Sequence, residues 1–290
     1  MLINIQNIAD AFCDFWEKAN KLDHEEKKVL WKEIYEIPNK LIFHHLESIY
    51  KTVNSNYNVD DSLEVCFERY ESSYRKIRLL SCNIENNIAK ICKSCSEIFN
   101  VSDLKLNFIT MVGQFNANAF VTPYNGTTAF YFLEQMPEER YVDILLAHEI
   151  THLFHFSKFI GKESKASLAE RIFVDGLACF TSSVIYPGFT IAEYLSFDSR
   201  SSQWVHDCEA ALPIIKTEVI NNIESVDYSY FLKYFSTNCE NAGEIPKRIG
   251  YLIGYKVVSH LSKTHSLDEL ILWNSERIIE EVKEAVSSIL

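Results

Sequence analysis

The sequence lacks an apolar run long enough to cross a membrane, since a transmembrane helix needs ~18 or more consecutive apolar residues. Its first residues, MLINIQNIADAFCDFWEKANKL, have no basic start, and acidic residues interrupt the apolar ones early, which is unlike a secretory signal. Internal repeats and low-complexity segments are also missing. We therefore expect a soluble, cytoplasmic protein with no membrane span.

Basic residues are the scarcer charge, with 28 Lys and Arg against 40 Asp and Glu and a net charge of -12. Nucleic-acid binding requires clustered Lys and Arg, so we expect no nucleic-acid partner. The acidity is accounted for by solubility. The chain has 8 cysteines and no secretion signal, which favours reduced thiols over a disulfide framework.

Glycine is missing from the first hundred residues, and so are alternating strand patterns. Apolar residues recur there at spacings of three and four, which is typical of helices. The pattern changes after Asn100. We therefore predict an N-terminal helical region over residues 1–100 and a catalytic domain over residues 101–290.

Two segments after residue 100 are short and rich in β-branched and aromatic residues, LKLNFITMV (104–112) and TTAFYFL (127–133). The turn sequence PYNG (123–126) precedes the second one. The sequence predicts two to four strands in a small mixed sheet that contains a hairpin. The residues that follow are helical in pattern, so the expected class is α+β, mostly helical.

The segment LLAHEITHLFHF (145–156) places three histidines and a glutamate in an apolar run. His148, Glu149 and His152 form an H-E-x-x-H pattern, in a helix expected to run from near Pro137 to near Gly161. Residues four apart share one face of a helix, so both imidazoles can point at one Zn2+ ion. Glu149 is then placed to take a proton from a zinc-bound water as that water attacks a carbonyl. The competing interpretation is a set of satisfied core histidines.

A catalytic zinc needs a third protein ligand and one open position. His155 follows on the same helix, but a straight helix does not readily wrap three consecutive turns around one ion, so a packing or supporting role is expected for it. Glu170 and Asp175 lie on the next predicted helix, about 140° apart around its axis, so both do not readily face the metal. One of them is expected to bind the metal; the other either orients a histidine or is a solvated acid.

These motifs resemble a family of predicted bacterial zinc-dependent proteases of the gluzincin type, a domain of unknown function (DUF2268). The resemblance rests on H-E-x-x-H, on VDGLA (174–178) where the family has E-G-L-A, and on PKRIGYLIGYKVV (246–258), which is similar to a glycine–tyrosine helix of that family. VGQFNANAFVTPYNGTTAFYFL (112–133) is similar less specifically. Together the match covers roughly residues 100–265.

The resemblance implies a zincin-like fold, with His148 and His152 as ligands and Glu149 as the base. It also implies that Asp175 is the third ligand, although the family has glutamate there. Aspartate is one methylene shorter than glutamate, so either its helix lies closer to the metal or Glu170 is the third ligand instead.

Two further features leave alternatives open. Tyr251 and Tyr255 are four residues apart on one helical face, flanked by Gly250 and Gly254 at the same spacing. One tyrosine, Tyr251 in the first place, either donates a hydrogen bond to the oxyanion or fills space beside close glycine packing. The strand at 127–133 is either the sheet edge to which a peptide substrate adds or a core strand.

The sequence therefore predicts a zinc metallopeptidase that hydrolyses peptide bonds of a peptide or protein substrate, with Glu149 as general base. The alternative is a catalytically idle zincin-like module with a binding or regulatory role, which the shortened third ligand motivates. The intact Glu149 argues against it.

Overall fold

The computed structural model describes residues 1–158, 166–237 and 245–289. The strands in this part of the chain are β1 (Leu2–Asn7), β2 (Lys105–Met111), β3 (Ala119–Pro123) and β4 (Thr127–Phe132). The helices are α1 (Ala9–Ala19), α2 (His24–Leu30), α3 (Lys40–Val53), α4 (Val59–Ile98), α5 (Glu139–Lys158), α6 (Leu168–Ile185), α7 (Ile191–Ser196), α8 (Ser202–Asn221), α9 (Tyr228–Phe235), α10 (Ile249–Leu261), α11 (Leu267–Leu270) and α12 (Ser275–Ile289). The protein is thus α+β and mostly helical. The predicted end of the histidine helix, near Gly161, lies outside the described residues.

The four strands form one mixed sheet in the order β1-β2-β4-β3. Strands β1 and β4 both pair with β2 in parallel, and β3 pairs with β4 antiparallel. The β3–β4 connection turns at Asn125 (φ 51) and Gly126 (φ 100), both in the left-handed region that glycine and asparagine tolerate. The predicted small mixed sheet with a hairpin is confirmed.

One expectation about strands is corrected, and one open alternative is decided. The first hundred residues are not all helical, because Leu2–Asn7 forms β1, whose Ile3 and Ile5 lie opposite Leu106 and Phe108 of β2. The strand predicted at 127–133 is a core strand, because β4 lies between β2 and β3 and is buried from Thr128 onward. A peptide cannot add to β4 as an edge.

The chain divides into two compact units, one made of Met1–Ala89 with Lys105–Met136 and the other of Lys90–Leu104 with Pro137–Leu290. This division differs from the predicted boundary near residue 100, because the strands after residue 104 pair with β1 and so belong with the amino-terminal helices. A catalytic domain over 101–290 stays a prediction.

The first unit holds the sheet and a buried carboxyl group, Glu134. Its two oxygens accept hydrogen bonds from the backbone amides of Gly113 (2.9 Å) and Phe115 (3.2 Å). Burial raises the pKa of Glu134 to about 7, while these backbone bonds and the charge of Arg69 act in the opposite direction. Glu134 therefore fixes the loop that follows β2, at the cost of a strongly desolvated carboxyl group.

The second unit contains the end of α4 and the helices α5 to α12, and its centre is the contact of α6 with α5 and α10. Helix α6 begins with a capping box, in which the Ser167 hydroxyl accepts from the Glu170 amide (3.2 Å) and Glu170 accepts from the Ser167 amide (2.7 Å). The Ser182 hydroxyl of α6 donates to the Ile144 carbonyl of α5 (3.2 Å). No helix in the described ranges is long and apolar enough to cross a membrane.

Candidate metal centre

Helix α5 carries the H-E-x-x-H residues on a buried segment. His148, Glu149 and His152 are 5%, 7% and 9% exposed. Because residues four apart share a helical face, the Nε2 atoms of the two histidines lie 3.1 Å from each other. Two imidazoles thus present one nitrogen each to the same small volume.

Asp175 of α6 joins this pair. Its Oδ1 lies 3.9 Å from Nε2 of His148 and 3.8 Å from Nε2 of His152. Within the described residues this is the group of histidine, cysteine and acidic side chains that could hold a metal ion, with its ligand atoms all within 4.8 Å of one another. The shorter aspartate reaches both imidazoles.

The position of α6 depends on its contact with α10 at two glycines. A Cβ on Gly176, the residue after Asp175, would lie 2.2 Å from the Gly254 carbonyl oxygen, and a Cβ on Gly254 would lie 2.5 Å from the Ile172 carbonyl oxygen. Gly250 likewise packs against the Phe235 ring, 2.6 Å from its added Cβ. Close packing at the glycines of the Gly-Tyr helix is therefore confirmed.

Glu170 and His155 lie elsewhere in the second unit. Glu170 is engaged in the capping box of α6, where Oε2 also accepts from the Ser167 hydroxyl (2.8 Å). His155 is 1% exposed, and its ring centroid is 5.9 Å from that of Phe173. Neither belongs to the His148, His152 and Asp175 group.

The donor set fits a zinc ion. Ligand atoms at normal zinc distances in a tetrahedral site lie about 3.4 Å from one another. The three separations here, 3.1, 3.8 and 3.9 Å, scatter around that value. Two neutral imidazoles and one carboxylate leave a fourth position for a substrate or water, as catalytic zinc sites do.

Burial controls the charge of the cluster. It lowers the pKa of His148 to about 3, with a further contribution from Arg248, so the imidazole is neutral and free to bind a metal. Burial raises the pKa of Asp175 to about 7, against the charges of Arg248 and Arg171. It raises that of Glu149 to about 8, to which Asp175 adds. A cation bound between the two imidazoles would favour the ionised forms of both acids, against their desolvation.

The two candidate tyrosines have different surroundings. The ring of Tyr251 lies 6.4 Å from that of His148, centroid to centroid, whereas Tyr255 packs against Phe180 at 5.9 Å. Burial, followed by the charge of Asp175, raises the pKa of Tyr251 well above its usual value. Tyr251 is thus the tyrosine beside the cluster.

Two residues near the cluster were not predicted from the sequence. Cys179, one turn after Asp175 on α6, has its Sγ 3.6 Å from Nδ1 of His148. Arg248, the residue before α10, has its guanidinium 4.6 Å from the centre of the Tyr251 ring and donates to the Leu195 carbonyl (3.1 Å). No spacing rule marks either residue, because both reach the cluster through the packing of separate helices.

Comparison with known proteins gives one family. The sequence model of the family described as predicted Zn-dependent protease (DUF2268) matches residues 84–280, which include all of α5 to α11 and most of the chain. No curated protein and no solved structure matches the chain.

Proposed function

Given that the chain belongs to the family of predicted zinc-dependent proteases, we propose that it is a zinc metallopeptidase of zincin-like fold that hydrolyses peptide bonds in a peptide or protein substrate. The observation that carries the proposal is the convergence of His148, His152 and Asp175, whose ligand atoms lie within 4.8 Å of one another. A cytoplasmic location stays a prediction from the sequence.

The proposed ligands are Nε2 of His148, Nε2 of His152 and Oδ1 of Asp175. Zinc, when bound, supplies a Lewis acid that polarises the scissile carbonyl and makes water acidic near neutral pH. Glu170 is the weaker candidate for the third ligand, since its carboxylate caps α6.

Glu149 is proposed to accept the proton of the attacking water and to pass it to the leaving amine. Its position next to His148 and its burial support this role. A carboxyl group with a raised pKa is the better proton acceptor, provided that a nearby cation keeps it ionised. The cation that His148 and His152 would hold meets that condition.

Tyr251 is proposed to donate a hydrogen bond to the carbonyl oxygen as negative charge develops on it. Its high pKa keeps the phenol protonated across the neutral range, so the donor is always present. A preorganised donor in a site shielded from water stabilises an oxyanion more than solvent does.

The test is zinc content combined with hydrolysis of a mixed peptide library. We expect about one zinc per chain, lost in His152→Ala and strongly reduced in Asp175→Ala but kept in Glu170→Gln. Glu149→Gln is expected to retain zinc and to lower kcat at least 100-fold.

Two outcomes would count against the proposal. Hydrolysis that survives Glu149→Gln would exclude the general-base role. Zinc binding with no hydrolysis of any peptide would favour the catalytically idle module. The separations of 3.9 and 3.8 Å between Asp175 and the two histidines support the active alternative.

A further inference from the structure

A cavity of about 400 Å³ lies in the second unit, a volume within the range of small-ligand pockets. It is lined by Ser196, Asp198, Ser201, Trp204, Lys247 and Arg248. None of these residues is assigned a role in the hydrolysis proposed above.

The cavity adjoins the metal centre through two aromatic residues. The Tyr251 ring lies 6.4 Å from the His148 ring, and the guanidinium of Arg248 lies 4.6 Å from the centre of that same Tyr251 ring. Phe197, between the lining residues Ser196 and Asp198, has its ring 6.1 Å from that of His148. The cavity lining is thus linked to His148 through Tyr251 and Phe197.

The cavity is cationic although the chain as a whole carries a net charge of -12. Its one acid, Asp198, is already paired: Nη2 of Arg200 donates to Oδ2 at 2.9 Å, and Nε of Arg200 lies 3.1 Å from both carboxylate oxygens. Because Arg200 neutralises Asp198, the positive charges of Lys247 and Arg248 remain as the net charge of the lining.

Within the described part of the chain, neither Lys247 nor Arg248 forms an ion pair with a carboxylate. Arg248 uses one N–H on the Leu195 carbonyl, and the acid that acts on it from the metal centre is Asp175. Asp175 is itself a proposed metal ligand, and an ion bound there would take up its charge. Arg248 therefore keeps donors for a further acceptor, and a guanidinium matches a carboxylate with two parallel hydrogen bonds.

We propose that this cavity is a substrate subsite for a carboxylate, held by Arg248 with Lys247 beside it, so that the enzyme prefers peptides that place an acidic side chain or a free C-terminal carboxylate there. The indole of Trp204 and the hydroxyls of Ser196 and Ser201 complete the walls. This inference rests on the proposed peptidase function, but its test does not require catalysis.

The test measures binding of three isosteric probes to the full-length protein as purified, without removal of bound metal, by calorimetry. N-acetylglutamine carries only the α-carboxylate, N-acetylglutamate α-amide only the side-chain carboxylate, and N-acetylglutamine α-amide neither. We expect at least one of the two acids to bind about tenfold or more tightly than the diamide, because a guanidinium forms charge-assisted hydrogen bonds with a carboxylate that a neutral amide cannot match. Which acid binds more tightly identifies the source of the carboxylate.

Three variants assign the effect to the cavity. Arg248→Gln is expected to remove the preference for the acid, Arg248→Lys to restore part of it, and Lys247→Gln to weaken it several-fold. Lys263→Gln is the matched control, because Lys263 is an exposed cation of the same unit outside the lining. Circular dichroism checks that each variant is folded.

Equal binding of all three probes, within threefold, would overturn the inference, and so would an acid preference that survives Arg248→Gln and Lys247→Gln. With peptide substrates, Arg248→Gln should raise KM for acids and leave KM for the matching amides unchanged. An equal fall in kcat for acids and amides would instead assign Arg248 to the reacting carbonyl and overturn the subsite. Absence of hydrolysis would count against the proposed function and leave the binding result standing.

Discussion

His148 has partners for both of its ring nitrogens. Nε2 faces His152 and Asp175, and Nδ1 lies 3.6 Å from Sγ of Cys179. A histidine that binds metal through one nitrogen carries its proton on the other and donates it to a neighbouring acceptor, which fixes the ring. Burial holds the pKa of Cys179 well above its usual range, so the acceptor is a neutral thiol, weaker than the usual carboxylate or carbonyl.

Cys179→Ala is expected to weaken zinc binding by about tenfold, the lower end for loss of such a partner, because sulfur is a weak acceptor. Cys179→Ser keeps a hydrogen-bonding oxygen and should retain most of the affinity. Competition with a chelating dye measures both, and Cys82→Ala, at an exposed position, is the control. Unchanged affinity in Cys179→Ala would show that the thiol does not position His148.

The sequence was sufficient to propose the site residues whose spacing lies within one helix. His148, Glu149 and His152 follow from the H-E-x-x-H spacing on α5, whereas the choice of Asp175 over Glu170 came from the family resemblance at VDGLA. The roles of all four residues stay predictions. Cys179 and Arg248 were missed because what brings them to His148 and Tyr251 is the packing of α6 and α10, which has no local pattern.

Helices α6 and α10 are in direct backbone contact at a pair of glycines. Gly176 and Gly254 occupy the contact, and a methyl group on either would overlap backbone atoms of the other helix. Asp175 precedes one of these glycines, and Tyr251 lies on the same helix as the other. The contact therefore sets the position of a proposed metal ligand and of a proposed substrate-binding residue together.

Gly176→Ala should force α6 and α10 apart, because its Cβ would lie 2.2 Å from the Gly254 oxygen, and backbone cannot rotate away. We expect a loss of about 3 kcal/mol in the free energy of unfolding, at the upper end for overpacking, and weaker zinc binding. Urea unfolding and dye competition measure the two effects.

The matched control is Val184→Ala on the exposed side of the same helix, where the change should be within about 0.5 kcal/mol. If Gly176→Ala has the same stability and zinc affinity as Val184→Ala, the two helices can change their spacing without cost and the prediction is wrong.

Strands with local signals were predictable, including β2, β4 and the turn of the hairpin between β3 and β4. Strand β1 was missed because it is six residues long and its partner β2 begins about a hundred residues later in the sequence. The pairing supplies the hydrogen bonds and the apolar contacts that so short a segment cannot provide alone.

The free energy of unfolding of the whole chain should depend on pH through its buried acids and its buried histidines, which change it in opposite directions. A carboxyl group whose pKa is raised on folding stabilises the protein at low pH and loses this contribution as pH rises towards the folded pKa. Glu134, with a pKa of about 7, belongs to this class. Burial lowers the pKa of His148 to about 3 and that of His155 to about 4. Both histidines therefore contribute stability that increases as pH rises.

Glu134→Gln separates these contributions. Relative to the wild type, the variant should gain about 2 kcal/mol in unfolding free energy between pH 5 and 7.5, because glutamine stays neutral while Glu134 must ionise against its burial. Urea unfolding of the metal-free proteins at both pH values gives the difference. A constant offset across this range would mean that Glu134 titrates normally in the folded chain.

The glycine contact also limits how this protein could diverge or be redesigned. A mutation that alters the spacing of α6 and α10 moves Asp175 and Tyr251 together. It would therefore change the proposed metal site and the Tyr251–Arg248 side of the cavity at the same time. Metal preference and substrate preference could not change independently through these two glycines. Ser196 and Ser201 of the cavity wall lie outside this glycine contact. New specificities are therefore accessible by varying the wall while both glycines are kept.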